Sequence, residues 1–306
     1  SRSRARRFRP TSTPRRPDDP DLTHHTPPGQ GAQRPADPFT ERTPRVASAS
    51  KLHRAAARRK TGRFLAEGAN SVEAALVTGR VLEVFCAEDA ADRFSDLIDS
   101  ARGRGVRVSM VTARAMRSLA DTVTPSGIVA LCPTLVREPG REIADSAGAR
   151  PVRLVAVGQA LAEPGNVGTL IRVSDALGAD AVWLTEGSVD PENPKAVRSS
   201  AGSLFHLPVV RGVAESELVA RAHTSGLQLA VATADGEVDI ECADEILSRP
   251  TAWVFGNEAH GVPAALAAAA DVRVRIPIRG RAESLNIVTA ASICLHTSAR
   301  LQGVGS

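Results

Sequence analysis

VRLVAVGQALAEPGNVGTLIRVSDALGADAVWLTEG, residues 152–187, decides the fold. VRLVAVG reads as a buried strand, GTLIRVSDALG as a helix and AVWLTEG as a second strand, each short apolar run closed by turn residues. Strand, crossover helix and strand form a unit that pairs in parallel. The pattern continues downstream. KAVRSSAGSL (195–204) opens a helix, LVARAHTSG (218–226) is a helix, and LQLAVATA (227–234), TAWVFG (251–256) and VRVRIPI (272–278) are strands. SLNIVTAASICLHTSARL (284–301) is the last helix. Residues 152–306 are therefore expected to form an α/β domain: a parallel sheet covered by helices on both faces, with ligands bound beyond the carboxyl ends of the strands.

Upstream, residues 63–133 alternate strand-like FLAEG, VLEVFCA, VRVSMV and GIVALC with helix-like NSVEAALVTG, AADRFSDLIDSARGRG and ARAMRSLAD. A small α/β domain over residues 47–136 follows, joined by a polar Pro/Gly linker at 137–151. SASKLHRAAARRK (48–60) predicts a short basic helix with Ser50 as its cap. Residues 1–46 are rich in Pro and Arg and poor in large apolar residues, which predicts a disordered arm.

Charge is divided unevenly. Residues 1–60 hold 15 Lys and Arg against 5 Asp and Glu, a net of +10, which leaves −6 for the remainder of a chain whose total is +4. Such an arm attracts polyanions, or merely solubilises the chain. No apolar run approaches the roughly 20 residues that cross a bilayer, so no membrane segment is expected. The N-terminal residues lack a signal-peptide core, and a cytoplasmic location is the default expectation. Cys86, Cys132, Cys242 and Cys294 form no CxxC pair, so neither a zinc site nor a disulfide is indicated, and they read as small buried residues.

Three polar turns carry the chemistry. In EPGNVGTLIRVSDALG (163–178), Pro164 and Gly165 predict a turn, Asn166 a helix cap and Gly168 a close backbone approach. Arg172 follows six residues after Asn166 in an apolar helical segment, where an arginine needs an anionic or carbonyl partner. In WVFGNEAHGV (253–262), a strand runs straight into Gly256, Asn257 and Glu258, so backbone amides are expected to face a ligand; His260 reads as a surface turn residue. In IPIRGRAESLNIVTAASICL (276–295), IPI predicts a strand, and Ser284 with Asn286 opens a helix with free amides. Each turn alone is also compatible with an ordinary capped helix or surface loop.

In their order and spacing, GNVGTLIR, GNEAHG and IPI followed by SLN resemble the signature motifs of the SpoU/TrmH group of SPOUT RNA methyltransferases. KTGRFLAEGANSVEAAL (60–76) is similar to the ribosomal-protein-like substrate-binding domain that precedes the catalytic domain in many members. The resemblance implies a trefoil-knotted domain that binds S-adenosylmethionine, works as a homodimer without a metal and methylates the ribose 2′-hydroxyl of RNA, with ribosomal RNA favoured over tRNA. It implies a cofactor pocket made by Thr233, Ala234, Phe255, Gly256, Asn257, Glu258, Gly261, Ile276, Ile278, Ser284, Leu285 and Asn286. It gives Arg172, Asn166, Glu258, Ser284 and Asn286 the catalytic network, and Lys195, Arg198 and Ser200 contacts to RNA. A guanidinium keeps its proton in essentially all protein settings, so Arg172 is expected to stabilise the hydroxyl oxygen rather than act as a base. The resemblance also allows Arg172 to serve the partner subunit's cofactor. Glu163 departs from the pattern, standing where many members have Asp.

Two alternatives come from other classes. A non-enzymatic RNA-binding protein of this fold would not need Asn166, Arg172, Glu258, Ser284 and Asn286 together. A nucleotide-binding dehydrogenase would need a GxGxxG turn after the first strand of either α/β series, which is missing.

Overall fold

A computed structural model describes residues 37–140 and 151–304. The first 36 residues of the expected arm, and residues 141–150 of the expected linker, lie outside the described residues. Residues 37–46, expected to belong to the arm, pack on the small domain. Phe39 pairs in parallel with Val111, Arg45 stacks over the Phe39 ring and Val46 is fully buried.

Two helices, α1 (Pro44–Ser50) and α2 (Ala55–Thr61), replace the single basic helix expected there. Pro44 occupies the first turn of α1, where its missing N–H costs nothing. Ser50 ends that helix and donates to the Ala47 carbonyl at 3.2 Å, so it is not a cap. The first sheet contains β1 (Arg63–Glu67), β2 (Glu83–Ala87), β3 (Arg107–Val111) and β4 (Ile128–Pro133) in the order β1-β4-β2-β3. Only β2 and β3 run parallel. Helices α3 (Ala69–Val77), α4 (Ser95–Gly103) and α5 (Ala113–Leu119) connect these strands.

The second sheet contains β5 (Leu154–Gly158), β6 (Ala181–Thr185), β7 (Val209–Val213), β8 (Gln228–Ala232), β9 (Val238–Asp239), β10 (Thr251–Phe255) and β11 (Val272–Arg275). Its order is β7-β6-β5-β10-β8-β11-β9, with every pairing parallel. Helices α6 (Pro164–Ala176), α7 (Pro194–Ser200), α8 (Leu218–Thr224), α9 (Asp244–Leu247), α10 (Ala264–Ala269) and α11 (Ile287–Gln302) complete the domain. Strands β5, β6 and β10 are buried along their whole length, as a sheet covered on both faces requires. Trp253 of β10 is fully buried and gives its indole N–H to Ser298 of α11 at 2.9 Å.

Several local expectations change. β7 and β9 were not expected; both lie at sheet edges, where a half-covered strand lacks a continuous apolar run. Ile276–Ile278 is not a strand, because β11 stops at Arg275 and Pro277 has no N–H for a ladder. Pro164 and Gly165 form the first turn of α6 rather than a loop, with Glu163 as the capping residue accepting from the Gly165 amide at 3.2 Å. Asn166 therefore sits inside the first turn and is not the cap. Cys242 is exposed, unlike the other three cysteines.

Candidate active site

A cleft of about 890 Å³ opens where β8, β10 and β11 end. Its walls come from three chain segments. Thr233 and Ala234 follow β8; Phe255, Gly256, Asn257, Glu258 and Gly261 surround the end of β10; Ile276, Ile278, Ser284, Leu285 and Asn286 link β11 to α11. Every residue expected to hold the cofactor thus lines one cavity. Arg275, Pro277, Glu283, Val262 and Ala290 also line it, and no sequence signal singled them out.

Glycine 256 is required by close packing. A Cβ on Gly256 would lie 2.3 Å from the Gly261 carbonyl carbon and 2.5 Å from the Val262 nitrogen, both backbone atoms that cannot swing away. The turn closes on itself: the amides of Asn257 and Gly261 bond each other's carbonyls at 3.0 and 2.9 Å. The Asn257 side chain accepts from the amides of Ala259 and His260 at 2.9 and 3.3 Å. Most amides expected to face a ligand are therefore used inside the turn. His260 is exposed and, among the described residues, bonds Asn257.

The start of α11 repeats that economy. Asn286 caps the helix and accepts from the amides of Val288 and Thr289 at 2.9 and 3.4 Å, so those amides are not free. Ser284 is exposed and makes no hydrogen bond among the described residues. Ile278 and Leu285 line the cleft and expose 36% and 37% of their surface.

The first motif joins this cleft through one carboxylate. Asn166 donates its side-chain N–H to Glu258 Oε1 at 2.9 Å, and the Ala162 amide donates to Glu258 Oε2 at 3.4 Å. Partial burial pulls the Glu258 pKa up, but the bonds from Asn166 and from backbone amides outweigh it and hold the carboxyl below its ordinary value. Beside it, Glu163 accepts from Lys195 and from the Gly165 amide, which likewise hold its carboxyl below the usual range.

Arg172 stands apart from the cleft lining. It is exposed on α6, and its side chain makes no ion pair or hydrogen bond among the described residues. Gly168 allows α6 to press onto α7, since a Cβ there would lie 2.2 Å from the Ala196 carbonyl oxygen. The partner that this glycine admits is thus a helix backbone.

Two of the residues expected to contact RNA have partners within the fold. Ser200 is 1% exposed and gives its hydroxyl to the Val197 carbonyl at 2.7 Å. The Arg198 guanidinium bonds Asp121 at 3.2 Å and lies 3.7 Å from Glu67, both in the four-stranded half. Lys195 is exposed, with its ammonium on Glu163. No group of His, Cys, Asp and Glu suited to a metal occurs among the described residues, and no described helix is long and apolar enough to cross a membrane.

Residues 153–296 match the model of the SpoU rRNA Methylase family, and residues 43–130 match that of the MRM3-like substrate binding domain. The chain is 36% identical, over 80% of its length and 92% of the relative's, to a 23S rRNA guanosine 2′-O-methyltransferase, RlmP, of Bacillus subtilis. It superimposes with a TM-score of 0.73 on a solved RNA 2′-O ribose methyltransferase, at 30% identity over 87% of this chain and 99% of the other. With the SpoU methyltransferase AviRb of Streptomyces viridochromogenes, solved in complex with AdoMet, the TM-score is 0.72 at 28% identity, over 87% of this chain and all of that one. With the three turns assembled on a parallel sheet and these similarities spanning both halves, the chain belongs to the SpoU rRNA methylase family.

Proposed function

We propose that the protein is an S-adenosylmethionine-dependent methyltransferase acting on the ribose 2′-hydroxyl of ribosomal RNA. The observation that carries this reading is the bond between Asn166 and Glu258, which ties the helix bearing Arg172 to the cleft formed by the other two motifs. In this reading residues 47–136 hold the RNA, residues 152–306 form a knotted catalytic domain, and the work is cytoplasmic.

The residues present fit the cofactor. The cleft's volume lies within the roughly 300–1,000 Å³ of small-molecule sites. Exposed Ile278 and Leu285 offer apolar faces to a base, while Ser284 and the carboxylates of Glu258 and Glu283 offer polar partners to a ribose and an amino group. When bound, S-adenosylmethionine supplies a methyl group activated on a sulfonium. The loop at Thr233 and Ala234, the turn from Phe255 to Gly261, and the segments at Ile276, Ile278 and Ser284 to Asn286 would hold it.

Arg172 steadies the hydroxyl oxygen of the RNA ribose as its proton leaves to water or a phosphate, a task for fixed positive charge. Asn166 orients that ribose and is itself held by Glu258. Lys195, which Glu163 already positions, meets a phosphate of the RNA backbone. Arg172 is exposed, without an ion pair among the described residues and outside the cleft of its own chain, which supports a homodimer in which it serves the partner's cleft. The test is incubation of the purified protein with methyl-labelled S-adenosylmethionine and protein-free ribosomal RNA. Label in a 2′-O-methylribose is expected, and label confined to a base would overturn the reaction class.

A further inference from the structure

Polar ties between the four-stranded and seven-stranded halves converge, on the catalytic side, on residues 190–198. Arg58 of α2 is 4% exposed and donates through Nε and Nη2 to Asp190 Oδ2 at 2.9 and 2.6 Å. Its Nη1 donates to the carbonyls of Leu52 and His53 at 2.9 and 3.0 Å, which fixes the guanidinium plane within its own half. Glu192, 2% exposed, accepts from the Thr134 hydroxyl at 2.7 Å and from the amides of Leu135 and Val136 at 2.8 and 3.2 Å. Arg198 reaches back to Asp121 and Glu67. The same segment carries Lys195, whose ammonium holds Glu163 beside the residues that contact Glu258.

Buried ion pairs contribute little net stability against well-packed apolar residues. Their directional bonds do fix geometry, which apolar contacts such as the Phe64–Phe205 ring pair, with centroids 6.0 Å apart, do less strictly. A segment that grips one half through Arg58 and Glu192 and the cleft mouth through Lys195 therefore sets the distance between them.

We infer that residues 190–198 are a coupler that determines which ribose is methylated, with Arg58 and Asp190 as positioning residues that hold the RNA-binding half at one fixed offset from the cleft. This rests on the functional reading above. RNA docked on the small half can then present a single nucleotide to the cleft, as a ruler would.

The test uses the full chain and protein-free 23S ribosomal RNA, with wild type, Arg58→Gln, Asp190→Asn, the double variant and Thr134→Val, which removes the hydroxyl bond to Glu192, compared. Each single variant is expected to raise KM for RNA about tenfold while leaving kcat within about twofold, since misplacement is felt at docking. Methylation should spread onto neighbouring riboses, and the effect of the double variant should fall short of the two single effects combined, because Arg58 and Asp190 bond each other while Asp190 also meets Arg211 at 3.5 Å. Calorimetry should find S-adenosylmethionine affinity unchanged. Variants that bind the cofactor normally and keep the wild-type KM and the single methylated ribose would overturn the inference. Loss of cofactor binding together with methyl transfer would mark the contact as merely structural and overturn it as well. Thr134→Val, which loosens the same interface through Glu192 and leaves Arg58 in place, decides the matter should Arg58→Gln fail to fold. A wild-type protein that neither binds S-adenosylmethionine nor methylates RNA would instead remove the functional reading itself.

Discussion

Asn166 and Glu258, 92 residues apart in sequence, share a 2.9 Å hydrogen bond that joins the first turn of α6 to the turn after β10. This contact is where two separate motifs become one site. Removing the Asn166 amide should let the Glu258 pKa rise toward its ordinary value. A carbon-detected NMR titration of Asn166→Ala reads this directly, and an unmoved Glu258 would mean that the bond does not persist in solution.

The sign of the pH dependence follows from Glu163 and Glu258. Lys195 is the main cause of the lowered Glu163 value, and Asn166 with backbone amides overcomes burial at Glu258. A carboxyl depressed in the folded state stabilises above its unfolded pKa, about 4.3 for glutamate, and that stabilisation is lost as pH falls through the lower folded value. Folding stability should therefore hold from neutrality down to about pH 5 and weaken only under stronger acid, as urea unfolding across that range can show.

Gly256→Ala places a methyl group against backbone atoms of Gly261 and Val262. The turn must open to admit it, so affinity for S-adenosylmethionine should fall at least about tenfold, a cost in line with forced overpacking. Equilibrium dialysis that found unchanged binding would show that the turn does not shape the cleft.

Gly168→Ala drives a methyl group onto the Ala196 carbonyl and Ser199 Cβ, so α6 and α7 must separate. We expect a loss of about 2 kcal/mol in urea unfolding. In the core, Ser298→Ala strands the buried Trp253 N–H and should cost about 1–3 kcal/mol.

If Arg172 serves the partner's cleft, Arg172→Ala and Gly256→Ala protomers complement each other. Mixed dimers then hold one intact composite site, and at S-adenosylmethionine concentrations too low to fill the Gly256→Ala cleft the mixture should methylate RNA faster than either variant alone. A mixture as inactive as its components would confine Arg172 to its own chain.

The cleft could be read in advance because its determinants are local. Each of its turns combines a glycine or proline with polar residues at the end of an apolar strand, and parallel sheets bind ligands at such ends. What escaped the reading depends on distant partners. Arg198 reads as a free cation until Asp121, 77 residues away, is folded beside it. Ser200 reads as a surface hydroxyl until α7 packs on its neighbours. Edge strands β7 and β9 are set by which strands flank them and carry little pattern of their own. The capping of α6 by Glu163, with Pro164 in the first turn, was legible in principle, but Pro-Gly is also the signature of a turn.

The most direct measurement compares Arg172→Ala with wild type in two experiments, single-turnover methyl transfer to ribosomal RNA and calorimetric binding of S-adenosylmethionine. Transfer should slow by about a hundredfold or more while the Kd stays within about twofold, because the guanidinium acts on the reacting hydroxyl and lies outside the cleft. Equal loss of binding and transfer, or transfer at the wild-type rate, would contradict a catalytic role for Arg172 and the convergence of the three motifs on one reaction.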